Sequence, residues 1–86
     1  MKNNRTYENR LSSLVKGECA IIDKILESSI KNRLFELGFR SGVQVECVGR
    51  SPAGKMGAYL VGGAVIAIRD RDGESVVLKG GECLGE

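Results

Sequence analysis

The chain has 86 residues, of which 28% are charged and 42% hydrophobic, and its formal net charge is +2. This length corresponds to one small domain, and a charge so close to zero gives no support for nucleic-acid binding. The sequence contains no His, so the usual general base at neutral pH is missing and neither a Ser-His-Asp nor a Cys-His site can be built. We therefore predict that the protein is not an enzyme.

The N-terminal residues 1–10 are polar and show no hydrophobic periodicity, which is typical of a flexible arm. This segment lacks the apolar stretch of a secretory signal. The longest stretch without a charged residue runs from Met56 to Ile68, well short of the roughly 20 residues that a membrane-spanning helix needs. The sequence thus predicts a cytoplasmic protein without direct membrane insertion.

A strand followed by a helix opens the folded part of the chain. The segment Cys19–Ile25 is rich in β-branched residues and predicts a strand. Apolar residues at i, i+4 and i+7 predict a short helix over residues 30–37. Ser28 or Ser29 is expected to cap its first turn, and Gly38 is expected to end it in the left-handed conformation.

The rest of the chain alternates short apolar segments with Gly-rich turns, which predicts four more strands. A loop with the only proline covers residues 49–57, a charged turn covers 70–73, and a flexible tail covers 80–86. The predicted strands are residues 43–48, 58–61, 64–69 and 74–79. Five strands and one helix predict a mainly β fold, a small closed or half-closed barrel with the helix over one opening.

No metal or cofactor site is assigned from the residue pattern. Two carboxylates of the charged turn, Asp70 and Asp72, lack the rest of a calcium-loop pattern and are expected to be solvated. No two of the three cysteines, Cys19, Cys47 and Cys83, have the CxxC spacing, so the sequence does not support a zinc ribbon. We expect Cys19 and Cys47 to be small buried thiols.

One stretch of sequence resembles a known family. Residues 33–45, RLFELGFRSGVQV, fit the pattern R-L-x-E-L-G-[FL]-x-x-G-x-x-V, and weaker similarity extends over residues 11–79. This stretch is similar to the ferrous-iron transport protein A family, FeoA. The resemblance implies an SH3-like barrel over residues 11–79 and a cytosolic accessory protein of ferrous-iron uptake.

The resemblance also implies a partner, the family's ferrous-iron membrane transporter, which carries a cytosolic G-domain. On this reading the protein lies at the inner face of the cell membrane through its partner. An alternative stays open, because a similar domain forms the C-terminal part of metal-dependent repressors. That alternative is an SH3-like module linked to metal-dependent transcription regulation or nucleic-acid binding. Only ten polar residues precede Leu11, which favours the stand-alone accessory protein.

The candidate partner contacts lie on the helix and in the proline loop, where the chain has Gly54-Lys55-Met56 instead of the acidic turn frequent in the family. These residues are Lys31, Arg33, Phe35, Pro52, Lys55 and Met56. Without His or a clustered ligand set, no more than a weak association with transition metals is expected. Open strand edges can pair with one another, so homo-oligomers are expected to be accessible.

Overall fold

The computed structural model describes residues 9–79. Six antiparallel strands form one sheet in the order β1-β6-β2-β3-β4-β5, accompanied by one helix of two turns and two short helical turns, of which the first is a 3-10 turn at Leu11–Ser13. The elements are β1 (Asn9–Arg10), β2 (Cys19–Ile25), α1 (Lys31–Leu37), β3 (Gln44–Arg50), β4 (Met56–Val61), β5 (Ala64–Arg69), α2 (Asp70–Gly73) and β6 (Val76–Lys79). The mainly β architecture predicted from the sequence is confirmed, with six strands instead of five.

The additional strand, β1, lies within the predicted N-terminal arm. Asn9 pairs with Leu78 and Arg10 with Val77, both in β6. The Arg10 guanidinium also donates a hydrogen bond of 2.7 Å to the Glu74 carbonyl. A strand of two residues is too short to show alternation, so the sequence pattern gave no sign of it. The rest of the predicted arm and the predicted tail lie outside the described residues.

The core is formed mainly by side chains of β2 to β6, and α1 contributes one fully buried residue to it. Leu34 attaches the helix to it, and the largest fully buried side chains are Tyr59 and Phe39. The other buried apolar residues are Leu11, Leu14, Ile22, Val45, Cys47, Val61, Ile68, Val76, Val77 and Leu78. No helix within residues 9–79 is long and apolar enough to cross a membrane.

The two described cysteines differ in chemical state. Cys47 is a buried free thiol, as predicted, and its Sγ donates to the Gly49 carbonyl at 3.4 Å. Cys19 is half-buried at the start of β2 and is disulfide-bonded. The expectation that Cys19 is a thiol is therefore wrong.

The two ends of α1 follow different rules. Its C-terminus is closed as predicted: Gly38 has φ +109°, its N–H donates to Phe35 O at 3.1 Å, and the Phe39 N–H donates to Leu34 O at 2.9 Å. This pair of bonds satisfies the last carbonyls of the helix. The predicted serine cap is wrong, because Ile30 is the N-cap residue and no side chain caps the helix. The hydroxyl of Ser28 is instead buried, without a hydrogen-bond partner among the described residues.

The turns between the later strands are tighter than predicted. The proline loop contains residues 51–55, because β3 continues to Arg50 and β4 already begins at Met56. Gly62 and Gly63 have φ +58° and +87°, which is the two-residue hairpin turn that the sequence indicated. Residues 70–73 form a helical turn instead of an open one, because the Glu74 N–H donates to the Asp70 carbonyl at 3.1 Å.

Candidate functional site

A polar cluster around Arg50 joins three separate parts of the chain. One guanidinium nitrogen, Nη1, donates to the Leu14 carbonyl at 3.0 Å and to the Tyr59 hydroxyl at 3.2 Å. The other, Nη2, donates to Oδ1 of Asp70, and the Tyr59 hydroxyl donates to the Leu11 carbonyl at 3.3 Å. The end of β3 is thereby tied to the beginning of α2 and to the segment that precedes β2.

The electrostatics of this cluster favour one fixed protonation state. Burial raises the pKa of Tyr59 above its ordinary value, and the hydrogen bond from Arg50 opposes that rise only in part. The hydrogen bond to Asp70 raises the pKa of Arg50, which is charged at any physiological pH in any case. Near neutral pH the phenol therefore stays neutral and the guanidinium stays charged. The cluster is suited to holding the fold and not to acid–base catalysis.

Gly57 makes room for the Tyr59 ring two residues further along the same strand. A Cβ atom at Gly57 would overlap the Tyr59 hydroxyl and would lie 2.5 Å from its Cζ atom. Only glycine therefore allows the ring to cover this part of β4 and to reach Arg50. Sequence reasoning missed this arrangement, because it assigned Gly57 to the proline loop and only Tyr59 to a strand, whereas both lie in β4.

The side chains predicted on α1 lie on its outer surface. The Lys31 ammonium is 3.1 Å from Oε1 of Glu27, and both side chains are exposed. Such an exposed pair contributes little to stability. Phe35 is 53% exposed, and the Arg40 guanidinium lies over its ring at 4.2 Å from the centroid. Arg40 also donates from Nε to the Phe35 carbonyl at 3.2 Å, so it belongs to this surface although the sequence analysis did not select it.

The proline loop is held in one conformation by Ser51. Its hydroxyl accepts hydrogen bonds of 3.2 Å from the backbone N–H groups of Lys55 and Met56, and its own N–H donates to the Met56 carbonyl at 2.9 Å. Pro52 and Lys55 are exposed in the loop. Met56 was predicted in the loop but is the first residue of β4, and it remains 37% exposed.

Arg33 and Met56 both line a groove of about 470 Å³ between α1 and the β4–β5 hairpin. We call it the α1–β5 groove. Its apolar lining comes from α1 and its N-cap, from β5 and from Met56, and its charged lining comes from two arginines and one aspartate. The residues are Ile30, Leu37, Met56, Ile66, Ala67 and Ile68, with Arg33, Arg69 and Asp72. Sequence reasoning missed the β5 side of this groove.

A second depression of about 530 Å³ adjoins the first, because Met56 and Arg69 line both. Lys55 and Arg71 add two further cations to its lining. Of the six predicted contacts, Arg33, Lys55 and Met56 are thus brought to one side of the molecule. Neither lining includes the other three, Lys31, Phe35 and Pro52.

No group of three or more His, Cys, Asp or Glu side chains within residues 9–79 is arranged to hold a metal ion. In the described part of the chain, the carboxylate of Asp70 is engaged by Arg50, and Cys47 is the only free cysteine. The two adjoining grooves, with their apolar lining and exposed cations, are features suited to recognition. A third depression of about 440 Å³ lies elsewhere, between β1, β6 and the start of β2.

This architecture, an antiparallel six-stranded sheet with one short helix packed by Leu34 and closed by Gly38, defines an SH3-like module. The family model described as "FeoA domain" matches residues 9–79. The chain therefore belongs to the FeoA family, as the motif at residues 33–45 indicated.

Solved structures agree with this assignment. FeoA of Stenotrophomonas maltophilia, a prokaryotic SH3 domain protein solved in complex with zinc, is 29% identical, with a TM-score of 0.74 over 83% of this chain and 89% of that one. A FeoA-like protein of Clostridium acetobutylicum is 16% identical, with a TM-score of 0.81 over 95% of this chain and 96% of that one. No curated protein sequence matches the chain.

The same fold occurs in a protein of another kind. A manganese-dependent transcriptional repressor has a TM-score of 0.74 at 10% identity, covering 83% of this chain and 40% of the repressor. At that identity the likeness concerns the fold alone. It agrees with the expectation that a similar domain is present in metal-dependent repressors.

Proposed function

We propose that this protein is a cytoplasmic accessory protein of ferrous-iron uptake that binds the cytosolic side of the ferrous-iron membrane transporter. Membership of the FeoA family, over residues 9–79, is the observation that carries the proposal. The S. maltophilia relative is itself suggested to act as a ferrous-iron transport activating factor. The family is one of accessory proteins and not a known family of enzymes.

The contact surface in this proposal is the α1–β5 groove together with the adjoining depression. Their lining combines apolar side chains, which favour burial against a partner, with charged ones. Four cations, Arg33, Lys55, Arg69 and Arg71, outnumber two aspartates, Asp70 and Asp72, and Asp70 is already paired with Arg50. Exposed methionine suits such a surface because its unbranched side chain adapts to different partners. A matching transporter surface would present apolar residues together with acidic ones.

The accessory role follows from differential binding. A bound protein shifts the conformational equilibrium of its partner only when it binds one conformation more tightly than another. A transporter with a cytosolic G-domain has nucleotide-dependent states, so the proposed protein would act by preferring one of them. Its place at the inner face of the membrane would then depend entirely on the transporter.

The test is co-purification with the detergent-solubilised transporter of the same organism, with and without a guanine nucleotide. Retention of the unaltered protein supports the accessory role, and a difference between the two conditions identifies the preferred state. No retention in either condition contradicts the proposal. Salt-dependent binding to DNA in its place would favour the repressor-linked alternative.

Matched variants test the surface separately from the role. Arg33→Ala and Met56→Ala each remove a groove side chain, and we expect both to weaken retention. Lys16→Ala and Val15→Ala remove an exposed cation and an exposed apolar side chain elsewhere, before β2, and should leave retention unchanged. Unchanged retention of the groove variants would refute the groove and leave the accessory role intact.

A further inference from the structure

The two ends of the sheet are not equivalent. At one end lies β1, which has only two residues, and at the other lies β5, which has six. Among residues 9–79, β4 is the only strand that pairs with β5. The outer edge of β5 is therefore the long open edge of this part of the chain.

The backbone groups that face outward along β5 can be identified from its pairing with β4. The Asp70 N–H donates to the Lys55 carbonyl at 2.8 Å, which continues the β4–β5 ladder by one position. Since hydrogen-bonded positions alternate in an antiparallel pair, the even-numbered residues of β5 bond to β4. The N–H and C=O groups of Val65, Ala67 and Arg69 therefore point away from the sheet, and no described residue is hydrogen-bonded to them there.

This edge lacks the features that usually prevent strands from pairing. Proteins protect open edges with prolines, bulges or charged side chains. In β5 there is no proline, six consecutive residues pair with β4 without a register shift, and the only charge is at the last residue, Arg69. The side chains of Ala64, Val65 and Ala67 are exposed, with Val65 at 61%.

We propose that the β5 edge pairs antiparallel with β5 of a second copy of this chain, about a two-fold axis at Ala67. This register places Ala67 opposite the partner's Ala67 and Val65 opposite the partner's Arg69. Each strand then contributes all three of its outward-facing residues to the hydrogen bonds. A two-fold axis at Val65 or at Arg69 would instead leave some of these three residues without a partner in the opposite strand.

The side chains are compatible with this register. The only charge of β5 lies at its end, so the two Arg69 residues lie at opposite ends of the pair, about 13 Å apart along the strand. That separation exceeds the screening length of about 8 Å at physiological ionic strength. On the other face of the strand, Ile66 lies opposite the partner's Ile68, so no charge is placed there; Ile68 stays buried in the core of its own copy. The small side chain of Ala67 at the axis leaves the strands free to approach.

The pair should be weak. A stable interface buries about 800 Å² on each partner, and one edge strand of six residues supplies less than that. The measurement is therefore sedimentation equilibrium of the full chain over a range of concentrations that extends to the millimolar. We expect the apparent mass to rise with concentration from the monomer mass of 9.3 kDa towards twice that value.

Two substitutions of one residue test the register. Val65→Lys places a cation opposite the partner's Arg69 at both ends of the pair, and we expect it to raise the dimer dissociation constant roughly tenfold. Val65→Glu places an anion at the same position, and we expect dimerisation at least as tight as that of the unaltered protein. Val15→Lys, at a 53% exposed site before β2, is the control and should have no effect.

Amide hydrogen exchange gives a second readout that does not depend on variants. The N–H groups of Val65 and Ala67 should exchange more slowly as the protein concentration rises. An apparent mass that stays at the monomer value would overturn the proposal. Equal weakening by Val65→Lys and Val65→Glu would also overturn it, because a merely apolar contact is weakened by either charge. Ala67 and Arg69 also line the α1–β5 groove, so self-pairing and the proposed transporter contact exclude each other at these residues. Since neither measurement involves the transporter, failure of the self-pairing does not bear on the proposed accessory role.

Discussion

The substitution Gly57→Ala tests the packing of Tyr59 directly. A Cβ atom at Gly57 would overlap the phenol oxygen and would lie 2.5 Å from Cζ and 2.9 Å from Cε2 of the same ring. Non-bonded carbon atoms do not approach so closely, and the ring is fully buried. The substitution therefore forces Tyr59 out of its present position instead of causing a small local adjustment.

The expected cost has two parts. Overpacking a well-packed core costs about 1–3 kcal/mol. Moving the ring also breaks the hydrogen bonds of Tyr59 with Arg50 and the Leu11 carbonyl, and leaving buried polar groups unpaired costs about 1–3 kcal/mol. We expect Gly57→Ala to lower the free energy of unfolding by about 2–6 kcal/mol, a large share of the roughly 5–15 kcal/mol of a small domain.

Urea unfolding followed by circular dichroism measures this loss. The control is Gly49→Ala in the neighbouring strand, where an added Cβ meets nothing within 4 Å, so it should change stability by no more than about 1 kcal/mol, in the stabilising direction. In a Tyr59→Leu background, Gly57→Ala should become nearly neutral, because the ring that it displaces is gone. A stability equal to that of Gly49→Ala, or a loss that persists without the ring, would refute the reasoning.

Three further variants address the same framework. Arg50→Leu should cost about 1–3 kcal/mol by leaving Asp70 and a backbone carbonyl unpaired, and an unchanged Tm would contradict this. Gly38→Ala should cost about 1–2 kcal/mol in urea unfolding because its φ is +109°, whereas no loss would mean that the helix ends differently. Burial raises the pKa of Tyr59 above 10.0, so the stability of the neutral phenol is complete below that pH and is lost above it, by up to about 1.4 kcal/mol per pH unit. Tyr59→Phe should remove this alkaline loss, and identical pH profiles of the two proteins would contradict the assignment.

The features that the sequence predicted well are those with a local cause. The end of α1 follows from one glycine in the left-handed conformation, and the β4–β5 hairpin follows from two consecutive glycines. The start of α1 was predicted wrongly for a related reason. Serine before an apolar stripe usually marks a cap, but here Ser28 is buried by the surrounding fold and its hydroxyl does not reach the helix.

The Arg50 cluster could not be predicted because its members are distant in sequence. Arg50 is separated from Leu14 by 36 residues and from Asp70 by 20, and Tyr59 is separated from Leu11 by 48. No spacing rule connects positions so far apart. A single charged residue in a chain of ordinary composition also gives no reason to predict a buried ion pair. Asp70 was therefore predicted to be solvated, whereas it pairs with the partly buried Arg50.

The pairing of Asp70 also changes the charge of the candidate surface. In the sequence, aspartates alternate with Arg69 and Arg71, so the formal charge of this segment is zero. In the fold, Asp70 is neutralised by Arg50, whereas Arg69 and Arg71 remain exposed beside Lys55. Neighbouring exposed cations create a local potential that the net charge of +2 does not reveal. A partner for this side of the molecule should therefore be acidic, even though the composition of the chain as a whole indicates no preference.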